Sequence, residues 1–216
     1  NDSGEVATGD LTRTGDQFTA DEALGHISIP ASSARDIHLF GEGISLEIPG
    51  NQAAAGRLES TGEKDLVLYP NTGTDTDTAV TALPNGIETF SVLRSEDSPE
   101  QVSFDFNLPD GAGLSEENGG AVITAGSGEP MLSILPPYAV DAQGTSVPTE
   151  ATVSGNRIIV SIPHRGQDFA YPILLDPTMT RDWWLNGASP GYEGWNFLQL
   201  NSSAYQSGTT CPAGCH

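Results

Sequence analysis

Residues 101–111 read QVSFDFNLPDG, and this stretch decides the fold class. Its apolar residues alternate one by one with polar residues, which is the pattern of a strand with one buried and one wet face. The Pro-Asp-Gly that follows supplies the residue types of a tight turn. We therefore predict an antiparallel strand whose Phe104 and Phe106 lie on the core face.

Segments of similar character recur on both sides of this strand, separated by turn signals roughly every 8–12 residues. They are Ile44–Ile48, Leu66–Tyr69, Gly86–Leu93, Val122–Thr124, Met131–Leu135, Val147–Val153, Arg157–Ile162 and Tyr171–Leu175. The chain also contains 25 Gly and 15 Pro, too many helix breakers for a helical protein. We predict an all-β, antiparallel β-sandwich, with two packed β subdomains as the open alternative.

Composition divides the chain into three parts. Residues 1–24 are polar and acidic without sustained periodicity, so they are predicted to form a polar lead-in. Residues 25–177 contain the predicted strands and form the sandwich module. Residues 178–216 hold all three Trp and both Cys but few aliphatic residues. This irregular, Trp-rich tail is predicted to begin a following β module, with the boundary at Pro177.

The charge of the chain limits its partners. With 29 acidic against 8 basic residues, the formal net charge is −21. Such a surface repels the phosphates of nucleic acids and anionic membranes. No run approaches the roughly 18 apolar residues of a membrane span, and no signal-peptide pattern opens the sequence. The acidic excess predicts a secreted or cell-wall-associated protein.

Three segments carry a family resemblance: NGIETFSVLRSEDSPEQVSFDFNLPDG at 85–111, PPYAVDAQGTSVP at 136–148 and DFAYPILLDPT at 168–178. In this order they resemble a region of large secreted actinobacterial proteins, which include wall-associated and RHS/YD-repeat-type proteins. The resemblance spans residues 85–177. It implies a β-rich, non-catalytic module that precedes repeats or further surface domains, and it assigns no catalytic residue.

The sequence offers few candidates for catalysis. Ser189 lies in a G-x-S-x-G pattern, but Pro190 after it has no N–H for an oxyanion hole, so we predict a loop. The four histidines share no metal-ligand spacing. His164 is expected in a surface loop, where pairing with Asp168 is the alternative. A carboxylate pair that converges only in space stays open, because sequence spacing does not reveal it.

Two further patterns concern ions and covalent links. Asp75 and Asp77 both offer oxygens, but calcium requires six to eight ligands and the segment lacks an EF-hand pattern. A solvated acidic surface is the preferred interpretation, and a structural calcium ion is the alternative; no other cofactor is predicted. The spacing of Cys211 and Cys215 allows a small local disulfide, or each pairs with a residue beyond His216.

The aromatic residues of the tail admit two interpretations. Trp183, Trp184, Tyr192 and Trp195 form either a platform that stacks on sugar rings or the core of a following β module. We prefer the second, because a polar segment of this length would otherwise expose several Trp side chains.

Together these observations predict a non-enzymatic extracellular structural or interaction module of a larger secreted or cell-surface bacterial protein. Its expected partners are other modules of the same polypeptide, without nucleic acid and without membrane insertion. A carbohydrate-binding or adhesive module for cell-wall or environmental polysaccharide, using the aromatic tail, is the alternative. A glycan or ester hydrolase with an unrecognised carboxylate pair ranks third.

Overall fold

The computed structural model describes residues 10–20, 25–60 and 64–181, and these residues contain strands and turns but no helix. The strands build two antiparallel sheets that pack together. The chain is therefore an all-β protein with a sandwich architecture, as predicted.

The described residues form nineteen strands. In chain order they are β1 (Thr12–Thr14), β2 (Gln17–Ala20), β3 (Ile27–Pro30), β4 (Ile37–Leu39), β5 (Ile44–Leu46), β6 (Arg57–Ser60), β7 (Asp65–Gly73), β8 (Thr76–Leu83), β9 (Gly86–Leu93), β10 (Gln101–Asn107), β11 (Gly113–Glu117), β12 (Gly120–Thr124), β13 (Pro130–Ile134), β14 (Tyr138–Val140), β15 (Ser146–Val147), β16 (Glu150–Ser154), β17 (Arg157–Ser161), β18 (Ile173–Asp176) and β19 (Thr178–Thr180).

The first sheet has eight strands in the order β1-β2-β3-β4-β5-β10-β17-β16. The second sheet has eleven strands and is organised around β9. One edge of β9 pairs with β8, which continues the sheet to β7 and β6. The other edge pairs with both β18 and β19. From there β18 leads to β14 and β15, and β19 leads to β13, β12 and β11.

The strand that decides the fold class behaves as its alternation predicts. Phe104 and Phe106 are 1% and 4% exposed. Ser103, which precedes them, and Asp105, which lies between them, are only partly buried. Phe104 lies opposite Ile158 of β17, so the alternation is shared across the sheet. β16 and β17 form a hairpin around Gly155, because β16 pairs with β17 along its whole length.

The predicted polar lead-in contains the first hairpin of the sandwich. β1 pairs with β2, and β2 continues the first sheet by pairing with β3. Phe18 lies opposite Ile29 and is 1% exposed, and Leu11 is also buried. The guanidinium of Arg13 lies 5.8 Å from the centre of the Phe18 ring. One large apolar residue in a short strand is too weak a periodic signal to stand out from polar neighbours.

The second sheet continues across the predicted boundary at Pro177. β19 pairs with β9 and β13, and its Met179 is fully buried. The backbone N–H of Arg181 donates to the carbonyl oxygen of Asn85 at 2.8 Å. Its guanidinium binds Glu42 at 2.6 Å and lies over the ring of Phe40. The sandwich thus extends to Arg181, because Pro177 interrupts the pairing without turning the chain out of the sheet.

Candidate functional site: a cleft between the sheets

A cleft of about 390 Å³ opens where the chain crosses twice between the two sheets. The first crossing is residues 47–52, which follow β5, and the second is residues 94–100, which join β9 to β10. The remaining walls come from β9, β10, the β7–β8 turn and the loop that carries Arg165.

The first crossing is fixed to the second sheet by hydrogen bonds. The hydroxyl of Thr78 donates to the carbonyl oxygen of Pro49 at 2.9 Å, and the N–H of Asn51 donates to the carbonyl oxygen of Thr72 at 2.8 Å. Gly50 has a φ of 133°, and a Cβ there would lie 2.3 Å from the Thr72 oxygen. Only glycine allows the chain to pass this closely, so Gly50 fixes where this wall meets the second sheet.

A buried hydroxyl faces the cleft from the second sheet. Ser91 of β9 lines the cleft and is 1% exposed, yet its Oγ has no hydrogen-bond partner within the described parts of the chain. An unsatisfied buried hydroxyl costs free energy and is uncommon in native proteins. Ser91 therefore leaves a donor and an acceptor unused at the wall of the cleft.

The rim of the cleft is acidic. Glu47, Asp97 and Asp105 line it together with one basic residue, Arg165. The guanidinium of Arg165 is already held by the carbonyl oxygens of Glu96 and Ser98, at 3.0 and 2.9 Å. The field at the rim therefore favours positively charged groups.

Asp105 is paired with Arg157 on the neighbouring strand. The ion pairs found among residues 10–20, 25–60 and 64–181 include neither Glu47 nor Asp97. Both of these side chains are exposed, so their carboxylates are accessible to a ligand at the rim.

The predicted calcium ligands lie beside the cleft, around a guanidinium. Arg94 contacts the Asp77 carboxylate at 2.6 Å and the Asp75 carboxylate at 3.7 Å. The main-chain oxygen of Asp75 also accepts from the N–H of Arg94 and the hydroxyl of Ser98. A calcium ion here would have to displace Arg94. Across the described ranges, no group of three or more His, Cys, Asp or Glu is placed to hold a metal ion.

His164 is buried, which corrects the prediction of a surface histidine. Its Nε2 lies 3.4 Å from the carbonyl oxygen of Pro99, and its Nδ1 lies 2.7 Å from the hydroxyl of Tyr171. Because a carbonyl oxygen only accepts, Nε2 carries a proton, and in the neutral ring Nδ1 then accepts from the Tyr171 hydroxyl. Asp168 is exposed and forms no hydrogen bond or ion pair with this ring. His164 is excluded from water because it is packed between two loops. It contacts Pro99 in the loop of residues 94–100 and Tyr171 in its own loop.

Two carboxylates organise loops through main-chain hydrogen bonds. The N–H groups of Arg165 and His164 donate to Glu100, and they hold the pKa of its carboxyl below the ordinary value. The N–H of Ala170, followed by those of Thr145 and Gln143, lowers the pKa of Asp141 in the same way. Glu100 thereby fixes the loop that carries Arg165 beside the cleft, whereas Asp141 fixes the turn that follows β14.

A third carboxyl has the opposite shift. Burial, reinforced by the nearby charge of Glu88, raises the pKa of Asp176 to about 6. One oxygen of Asp176 is buried without a hydrogen-bond partner in the described structure. Glu88 is itself paired with Lys64 at 2.9 Å. Asp176 lies at the break between β18 and β19 and is not among the residues that line the cleft.

Several predicted site residues lie outside the described residues. They are Trp183, Trp184, Ser189, Tyr192, Trp195, Cys211 and Cys215.

Sequence reasoning did not single out Ser91, Glu47 or Asp97. A signal for Ser91 exists within the segment GIETFSVL, because Ser91 shares a strand face with Ile87 and Leu93. Thr89 lies between Ile87 and Ser91 on the same face. Two successive hydroxyl side chains at core-facing positions mark a polar feature.

Comparison with protein-family models, with curated proteins and with solved structures found no match. Residues 10–20, 25–60 and 64–181 contain no helix that is long and apolar enough to cross a membrane.

Proposed function

We propose that this chain is a non-enzymatic extracellular interaction module of a larger secreted or cell-surface bacterial protein, and that its ligand binds in the cleft between the sheets. The observation that carries the proposal is the unpartnered, buried hydroxyl of Ser91 inside a cleft of about 390 Å³. Rigid concave sites with a few convergent polar groups are typical of ligand binding.

A binding role is supported by the structural hydrogen bonds that the nearby ionisable groups form. His164 joins two loops, and Glu100 accepts main-chain N–H groups. Arg165 binds carbonyl oxygens. A general acid or base must instead reach the reacting atoms of a substrate. These groups hold the walls of the cleft in place, as pre-organised binding requires.

The extracellular setting rests on the sequence. The net charge of −21 and the resemblance of residues 85–177 to secreted actinobacterial surface proteins both favour it. The expected neighbours are other modules of the same polypeptide, and the two-sheet frame suits a spacer that also presents a binding site.

The test is a titration of the full isotope-labelled chain, followed by NMR, with panels of cell-wall glycan fragments, neutral oligosaccharides and short peptides. We expect at least one ligand to shift amide signals around the cleft and to be recovered chemically unchanged. Thr74→Trp, at an exposed position of the rim, should abolish those shifts, whereas Ser115→Trp on β11 should not. Turnover of the ligand, or shifts confined to other surfaces, would contradict the proposal.

A further inference from the structure

β10 has one open edge, and the direction of its main-chain groups shows which residues face it. The N–H of Phe106 donates to Asn156 and the carbonyl oxygen of Glu100 accepts from Ile162, at 2.9 and 2.8 Å. Both bonds point toward β17. Because main-chain groups alternate between the two edges of an antiparallel strand, those of Gln101 and Ser103 point the other way.

β5 covers only the far end of this second edge. It pairs with Phe106 and Asn107, and the N–H of Glu47 then donates to the carbonyl oxygen of Asp105 at 2.9 Å. Beyond Glu47 the chain leaves for the second sheet. No strand in the described ranges pairs with Gln101 or Ser103 on this side, so their main-chain groups face the cleft.

The cleft therefore has the features of a site for one more strand. Its length along β10 is four residues, Gln101 to Phe104, or about 13 Å at the rise of a strand. An exposed strand edge readily pairs with another extended chain, and native proteins usually cover or block such an edge. The orphan hydroxyl of Ser91 lies on the facing wall.

We propose that the cleft binds an extended, basic segment of a partner protein, which adds as an antiparallel or parallel strand to the open edge of β10. Main-chain hydrogen bonds from Gln101 and Ser103 hold the segment, and Ser91 bonds to it from the other sheet. Glu47 and Asp97 select lysine or arginine side chains at the rim, since strand addition takes its specificity from alternate side chains. This inference rests on the proposed function, because it names the ligand class of the same cleft.

The probe is an N-acetylated, C-amidated peptide of alternating valine and lysine, about six residues long, so that it spans the open edge with about one residue to spare at each end. It is titrated into the full isotope-labelled chain, and binding is followed by amide shifts and hydrogen exchange. We expect the amides of Gln101 and Ser103 to shift and to exchange about tenfold or more slowly in the complex. A peptide N-methylated at every internal amide should bind at least about tenfold more weakly, because it has no main-chain donors left on either edge.

Charge is tested separately. The double variant Glu47→Gln/Asp97→Asn should weaken binding of the lysine peptide about tenfold or more and flatten its salt dependence. The matched variant Asp110→Asn/Glu129→Gln changes two exposed carboxylates outside the cleft and should leave the affinity unchanged. Ser103→Pro removes the N–H that faces the cleft and should also abolish binding, with folding checked by the thermal midpoint.

Absence of peptide binding, equal affinity for the N-methylated peptide, or unchanged exchange at Gln101 and Ser103 would overturn the strand-addition inference. If glycan fragments instead shift the cleft amides and Thr74→Trp blocks them, the proposed function stands and this inference fails. If the peptide binds with shifts only outside the cleft, both fail.

Discussion

The hydroxyl of Tyr69 donates a 2.5 Å hydrogen bond to the carbonyl oxygen of Pro30, and this bond joins the two sheets. Tyr69 lies on β7 and is fully buried, and its burial raises the pKa of the phenol above the ordinary value. Pro30 ends β3 on the opposite sheet. One polar contact thus crosses the apolar core.

Tyr69→Phe should lower the free energy of unfolding by about 1–3 kcal/mol, because it leaves the buried Pro30 carbonyl without this donor. Tyr138→Phe is the control, since Tyr138 is 52% exposed and its loss of a hydroxyl should cost less than about 0.5 kcal/mol. Chemical denaturation of both variants measures the difference. Equal effects would show that the bond to Pro30 contributes nothing.

Asp176→Asn should stabilise the protein at neutral pH. The folded pKa of about 6 exceeds the unfolded value, so the native state binds the proton more tightly. Stability then falls as the pH rises from about 4 to about 6, and above that window the full cost of the buried charge remains. We expect a gain of up to about 3 kcal/mol at pH 8 that vanishes at pH 4.

The control for Asp176→Asn is Glu129→Gln, which neutralises an exposed carboxyl. Its effect on the unfolding free energy should stay small across the same pH series. A gain for Asp176→Asn that does not depend on pH would refute the assignment of the shift to this carboxyl.

Met179→Ala should destabilise the sandwich by about 2–5 kcal/mol, because Met179 is fully buried in β19. Met131→Ala is the matched change at a partly buried position and should cost clearly less. The comparison tests whether the fold continues beyond Pro177. If both variants lower the thermal midpoint by the same small amount, β19 does not contribute to the core that determines stability.

Arg94→Ala should lower the free energy of unfolding by about 1–2 kcal/mol, because Asp75 and Asp77 would face each other without their shared guanidinium. Arg57→Ala, whose partner Glu59 is on the same exposed strand, should stay within about 0.5 kcal/mol.

The same residues test the predicted calcium site. Millimolar calcium should leave the thermal midpoint of the parent protein unchanged and raise that of Arg94→Ala, where the carboxylates are available to a cation. A rise in the parent that Asp75→Asn removes would restore the calcium interpretation.

Local alternation predicted those strands whose two faces differ clearly. The faces of β10 and the β16–β17 hairpin follow directly from residue order. Local alternation did not predict strands whose bounds depend on pairing with residues distant in sequence. β7 runs through Pro70 because the register shifts between Tyr69 and Gly73, and β19 is recognisable only from its pairing with β9. The cleft depends on contacts such as Glu47 with Asp105, which no local pattern reveals.

β9 also constrains the order in which the second sheet assembles. Its partners are β8, a neighbour in sequence, and the β18–β19 pair, which follows roughly eighty residues later. The hairpin of β8 and β9 can form early, because closing a short loop loses little chain entropy. Among the described strands, however, the β11–β13 ribbon joins the sheet only through β19. The last strands therefore close the second sheet around β9, and contacts of this sequence separation are typical of slow folding.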